Sequence, residues 1–411
     1  MNTKSLFATA LNLQEPWYIK GIAFSHAERR LDLHIDFKPG SSFPLEGYEG
    51  RFSVHDTVDK SCRHLNFFQH ECYLHCRTPR VNTPDGLVRL ADPPWAGKSQ
   101  GFTLLFEALL MQLLTAMPVA AAAKLARVSD DKLWRMLEKY IELARHLEDF
   151  SEVKAVGMDE TSRRKGHQYV TLFVDLDKSK TLYVAEGKDA GVVPAFLIDF
   201  TSHGGKPENI RECSMDMSPA FISAVESNLP EAEITFDRFH IMKILNAAVD
   251  EVRRAEVINE PMLKDTRYVL LKNRRNLTSK QRQKLYQIEA EGFHLKSYRA
   301  MQMREYFQEA FKARSFVAFR DHLNDWFDWA VRSKLPSMVD AARTLRRHWD
   351  GILNWYRSGR SNGILEGINS LVQAAKAKAR GYRTVKNLRL ITYLVTAKLD
   401  FSKCNPDFAY A

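Results

Sequence analysis

The chain has 411 residues, 60 Lys and Arg against 50 Asp and Glu, a formal net charge of +10, and 45% hydrophobic with 27% charged residues. That balance suits folded domains with substantial cores and excludes a mainly disordered or fibrous chain. The positive excess points toward a polyanionic partner, because neutralising phosphates releases condensed counterions.

No apolar run approaches the ~18 residues of a membrane span, and Met1–Leu6 lacks the apolar core of an export signal. No membrane association and a cytoplasmic location are therefore expected. Five cysteines, an odd number spread thinly, do not form a disulfide framework.

Residues 1–100 alternate short apolar runs such as Leu31–Phe37 with turn-rich pieces at 38–42 and 83–86, which predicts a small β-rich module. From Phe102 the pattern becomes helical, with Leu105, Ala108, Leu109, Gln112 and Leu113 on one face. Pro118–Ala126 reads as a short helix. Val128–Asp131 supplies a turn and cap before a longer helix begins at Lys132. Two helices so joined form a helix-turn-helix, which would present Lys124, Lys132 and Arg135 to a DNA groove; an ordinary helical hairpin is the competing reading.

Val153–Asp159 reads as a strand ending in an acid, followed by β-rich runs at 169–175 and 181–185. A helix over 190–200, a strand over 211–216, a helix over 219–228 and a strand over 233–237 come next. This order of three strands, helix, strand, helix, strand implies a mixed sheet flanked by helices. Residues 240–349 are helical and basic, an insertion into the α/β domain, and Ser361-Asn362 opens another helix.

Asp159, Asp216 and Glu366 are carboxylates that folding could assemble into a hard-oxygen site for Mg²⁺. Asp237 rivals Asp216 as a strand-end acid, and Glu160 should face away from Asp159. Around Glu366, the residues Asn362, Asn369, Gln373, Lys376 and Arg380 follow helical steps on one face. An acid among amides, ending in cations, suits a helix that shares a metal and then follows a phosphate backbone. Between Arg357 and Lys398 nine Lys and Arg face one acid.

The blocks Gly157–Ser162, Tyr169–Asp175, Ser214–Phe221, Ile234–His240 and Ser361–Gly367, together with Arg380–Arg383, resemble those of bacterial insertion-sequence transposases of the ISL-three family, of the DDE class. The resemblance covers nearly the whole chain. It implies a multidomain α/β protein: a ribonuclease H-like catalytic domain (151–239 and 350–400) with a helical insertion (240–349), preceded by a degenerate zinc-ribbon-like module (1–100) and a helix-turn-helix region (101–150).

It further implies catalytic and metal-binding roles for Asp159, Asp216 and Glu366, with two Mg²⁺ ions that Mn²⁺ can replace. The DNA partners would be terminal inverted repeats and target DNA, and a dimer or higher oligomer would form on paired ends. Lys376, Arg380 and Arg383 would hold DNA beside the metals, and Asp237 would be a supporting residue. His64–Phe68 and Pro79–Val81 also match the family. Its paired cysteines are missing, and Cys62, Cys72, Cys76, His55, His70 and His75 form no C-x₂-C pair, so zinc is not expected.

Overall fold

The computed structural model describes residues 2–164, 168–359 and 363–409. The N-terminal module opens with helix α1 (Thr3–Ala10), capped by Asn2, and continues as strands β1 (Trp17–Ser25), β2 (Arg30–Phe37), β3 (Ser42–Phe43), β4 (Phe52–Phe67), β5 (His70–Asn82) and β6 (Val88–Leu90). The sheet runs β1-β2-β5-β4-β3, with β6 also on β5. Every pairing is antiparallel except β2 with β5. Period-two alternation turns Leu31, Leu33 and Ile35 inward from β2, and Cys72, Leu74 and Cys76 inward from β5. Burial pushes the Cys72 and Cys76 thiols up to about 11 and about 12.

Helices α2 (Leu104–Ala116), α3 (Val119–Ala126) and α4 (Asp130–His146) follow. Arg127, left-handed at φ 55°, closes α3, and Ser129 precedes α4. The fully buried Glu107 of α2 ties the region together. It accepts from Lys98 N, Ser99 N and the Tyr140 hydroxyl, each at 2.8 Å. Asn405 Nδ2 in turn donates to the Tyr140 oxygen at 2.9 Å.

The second sheet is built from β7 (Ala155–Arg164), β8 (Gln168–Asp175), β9 (Lys180–Glu186), β10 (Glu212–Met215) and β11 (Glu233–Phe236), in the order β11-β10-β7-β8-β9. The β11, β10 and β7 strands are parallel, whereas β7, β8 and β9 form an antiparallel meander. Helix α5 (Val192–Ser202) lies between β9 and β10, and α6 (Pro219–Asn228) between β10 and β11. Contrary to the sequence expectation, β7 does not end at Asp159. Antiparallel pairing with β8 carries it to Arg164, past the point where β10 stops.

Beyond β11 the chain is helical: α7 (Arg238–Glu256), α8 (Arg267–Leu271), α9 (Ser279–Glu291), α10 (Lys296–Ala310), α11 (Phe316–Arg332), α12 (Pro336–Arg347), α13 (Trp349–Ser358) and α14 (Gly363–Lys378). The expected helix start at Ser361-Asn362 lies outside the described residues. One hydrophobic core runs from the sheet (Val156, Phe173, Met215, Phe236) into these helices (Leu245, Phe307, Trp326, Ile352). At its seam, Asn354 Nδ2 of α13 donates to Ile234 O of β11 at 3.1 Å.

The last helix is α15 (Val385–Thr396). Packing divides the chain into Met1–Glu148 with Ala374–Ala411, and Asp149–Gln373. The sequence assigned all of 350–400 to the catalytic domain, whereas residues from 374 onward pack with the first unit. The reason lies in side chains that α4 offers them. Tyr382 meets Trp134 edge-on at 6.3 Å, Lys386 pairs with Glu138 at 2.5 Å, and Arg145 lies 4.3 Å from the Tyr393 ring. Among the described residues, no helix is long and apolar enough to cross a membrane.

Candidate active site

Strand register assembles the acids of the second unit. Ser214 pairs with Gly157, and Met215 with Phe236. Carrying these registers onward sets Asp216 beside Asp159 on one side and Asp237 on the other, and Asp237 N still donates to Met215 O at 3.0 Å. Neighbouring strands lie about 4.8 Å apart, so the three carboxylates stand in a row at one level. Each is held by a main-chain N–H just downstream: Glu160 N on Asp159 at 2.7 Å, Ser218 N on Asp216 at 2.9 Å, and Phe239 N on Asp237 at 2.7 Å.

Helix α14 lies along β7. Leu365 covers Gly157, where a Cβ would stand 2.8 Å from the leucine side chain. Asn369 Nδ2 donates to Asp159 Oδ2, and Gln373 Nε2 to Thr161 Oγ1. Steps of four on a helix rise about 6 Å, and steps of two on a strand about 6.6 Å, so three successive contacts stay matched. Two amides of the stripe that the sequence groups with Glu366 are thus engaged with β7. Asn362, the first of that stripe, lies outside the described residues. Glu366 is exposed, one residue beyond Leu365, and with Asp237 it lines a cavity of about 600 Å³.

Burial, together with the nearby charges of Asp237 and Asp216, pushes Asp159 up to about 6, against the opposing pull of the Glu160 N–H and His240. His240, whose Nδ1 is 3.3 Å from Asp237 Oδ2, is raised chiefly by that partner. Sequence reasoning left His240 out, although its i,i+3 spacing from Asp237 was a usable signal. Crowded carboxylates with one imidazole to balance them favour a bound cation, and hard oxygens are the donors that divalent ions such as Mg²⁺ prefer. Asn369 Oδ1, buried without a hydrogen-bond partner among the described residues, leaves one more oxygen beside Asp159. Among the described residues, no three His, Cys, Asp or Glu side chains already converge on one point. The register sets Asp159 beside Asp216, while Glu366 is carried by α14 and shares a cavity wall with Asp237.

The expected DNA-contacting residues all belong to the first unit. Lys124 is exposed on α3; Lys132 and Arg135 are exposed on α4, where Lys132 Nζ sits 5.8 Å from the Phe102 ring and Arg135 Nε donates to Asp131 O at 3.3 Å. Lys376 is half-buried, and burial lowers its pKa. Arg380, left-handed at φ 57°, and Arg383 flank the Tyr382 that rests on Trp134.

A helix-turn-helix region and an α/β unit with carboxylates in a row across parallel strands together define a DDE-type, DNA-binding transposase. Comparison with known proteins supplies the family. A family described as a transposase, the DDE domain of ISL3 elements, matches residues 156–392, and the helix-turn-helix domain of transposase family ISL3 matches residues 91–141. The chain belongs to this family of insertion-sequence transposases. It is 26% identical over 339 residues to the transposase for insertion sequence element IS1001 of Bordetella parapertussis, across 80% of this chain and 82% of that protein. It is also 26% identical over 369 residues to the transposase for IS1557 of Mycobacterium tuberculosis, across 82% and 81%. Enzymes of the DDE family generally use divalent metal ions.

Proposed function

We propose that the second unit is a ribonuclease H-like catalytic domain in which Asp159, Asp216 and Glu366 hold two Mg²⁺ ions, Mn²⁺ being able to substitute. The observation that carries this reading is the row of carboxylates across β7, β10 and β11, with Asn369 fixing Asp159 from the helix that bears Glu366. The sheet order, an antiparallel meander extended by two parallel strands, also supports it. When bound, such ions supply Lewis acidity for in-line phosphoryl displacement.

Two displacements follow in sequence. Water first attacks the phosphodiester at the element's end, and a 3′-hydroxyl leaves. That hydroxyl then attacks a target phosphodiester and releases a target 3′-hydroxyl. Neither step needs a covalent protein intermediate, because positioning and charge neutralisation carry the transfer. Asn369 and the Glu160 N–H orient the Asp159 oxygens, and Asp237 caps α7 and holds His240.

Lys124, Lys132 and Arg135 would bind the terminal inverted repeats, and Lys376, Arg380 and Arg383 would hold DNA phosphates. Joining two ends calls for at least two copies on the DNA. The working location is the bacterial cytoplasm, at the nucleoid when bound.

The test incubates purified protein and Mg²⁺ with a supercoiled plasmid carrying the element's flanks, beside a plasmid without them and the Asp159→Asn variant. Breaks at the flanks that need Mg²⁺ and Asp159, followed by strand joining, are expected. Breaks indifferent to the flanks would make the protein a ribonuclease H-like nuclease. Binding with no break would make it a DNA-binding regulator.

A further inference from the structure

The helical part of the second unit holds a buried cation that the reading above leaves unused. Arg304 of α10 is 2% exposed, and its Nη1 donates to Leu271 O at 2.5 Å. Its Nε and Nη2 have no hydrogen-bond partner among the described residues. The Glu305 carboxylate, 3.6 Å from Nη2, is shared with Arg274 at 3.2 Å. A guanidinium withdrawn from water with two donor nitrogens unfilled is costly unless an anion completes it.

Arg304 lines the same cavity of about 600 Å³ as Asp237 and Glu366. At that cavity Asn246 offers a buried oxygen without a hydrogen-bond partner, and Phe239 presents a ring that is 60% exposed. A second hollow of about 880 Å³ shares Arg238, Asn273 and Gln308 with the first and adds Arg274, Arg275 and Lys312 beside the carboxylates of Glu305 and Glu309. Two hollows that share lining residues, with cations in excess over carboxylates and with amides and an open aromatic ring, suit a polymer with phosphates and bases. Stacking on an open aromatic ring such as Phe239 needs a base freed from its own stack, which an unpaired strand offers and an intact duplex does not.

We propose that this cleft binds an unpaired DNA strand next to the bond being broken, with a phosphodiester on Arg304 and an adjoining base against Phe239. The identity of the polymer rests on the transposase reading. The site's function is to hold the strand end in place while the row of carboxylates is engaged.

The test measures binding of a short single-stranded oligodeoxynucleotide to the full chain in EDTA, across a salt series. Arg304→Met is expected to bind about tenfold more weakly, with the log–log salt slope shallower by about 0.7. Its melting temperature should be unchanged or raised, since an apolar side chain replaces a buried charge. Phe239→Ala should also lose about tenfold. Wild-type affinity and slope in Arg304→Met would overturn the proposal. Should Arg304→Met melt early, the exposed Phe239→Ala decides: a tenfold loss supports the strand site and unchanged affinity overturns it. Displacement of the oligonucleotide by a deoxynucleoside monophosphate at equal phosphate concentration overturns it in favour of a nucleotide site. Failure of the wild-type protein to cut the plasmid would count against the transposase reading, whereas the strand site is judged on oligonucleotide binding alone.

Discussion

Glu107 and Asp159 are both carboxylates drawn out of water, one in each unit, and burial raises the pKa of both. Glu107 is surrounded by donors: two main-chain N–H groups and a tyrosine hydroxyl that is itself fixed by Asn405. Asp159 has two donors as well, yet it also has Asp216 and Asp237 close enough to oppose its ionisation. The first arrangement is complete as it stands; in the second, two neighbouring acids oppose the ionisation of Asp159. Burial alone therefore does not separate a carboxylate satisfied by donors from one crowded by other acids. The neighbours do.

The contrast can be broken most forcefully at Glu107. Glu107→Ala strands the buried Tyr140 hydroxyl and two part-buried main-chain N–H groups, so the first unit should lose about 3 kcal/mol, read from its denaturation midpoint. A loss below about 1 kcal/mol would remove Glu107 from its structural role.

Next in size is Gly157→Ala, whose Cβ would sit 2.7 Å from Leu176 and 2.8 Å from Leu365. The expected cost is about 1–3 kcal/mol, and displacement of α14 should slow plasmid cleavage. Adding Leu365→Ala should recover part of the stability, whereas strictly additive losses would show that the helix does not press on the strand there.

Asp159→Asn sharpens the comparison through pH. The folded group titrates near 6 rather than the ordinary 3.8, so its penalty is absent below about pH 4, grows as pH rises toward about 6, and is full above that. In EDTA the variant should be about 1 kcal/mol more stable than wild type at about pH 8, with no gain at about pH 4. An equal gain at both would mean that neither burial nor the neighbouring acids oppose the ionisation of Asp159 in the folded protein. The smallest effect is expected from Lys132→Ala, which should weaken repeat binding without changing the preferred sequence and lower the salt slope by about 0.9.

Local chemistry was readable in the sequence wherever a short-range rule governs it. Pro219 at the first turn marks the start of α6, and the helix spans Pro219–Asn228 as the pattern predicts. The short strands before Asp216 and Asp237 and the turn between α3 and α4 were visible for the same reason. What escaped depends on distant partners. The periodicity of α14 groups Asn369 and Gln373 with Glu366, but their targets on β7 lie 210 and 212 residues away. The attachment of 374–411 to the first unit likewise depends on which aromatic and charged side chains α4 turns toward it. Arg304 gave no signal at all, since an arginine inside a basic helical stretch reads as surface.

The paired steps of α14 and β7 limit how the gene can change. Loops within the helical region between β11 and α13 can lengthen or shorten at slowly growing entropic cost. One codon gained or lost between those for Leu365 and Gln373 would rotate the later half of the helix by about 100°, so that Leu365 and Gln373 could no longer both meet Gly157 and Thr161. Length variation among related chains should therefore gather in the helical region and be excluded from this nine-residue stretch.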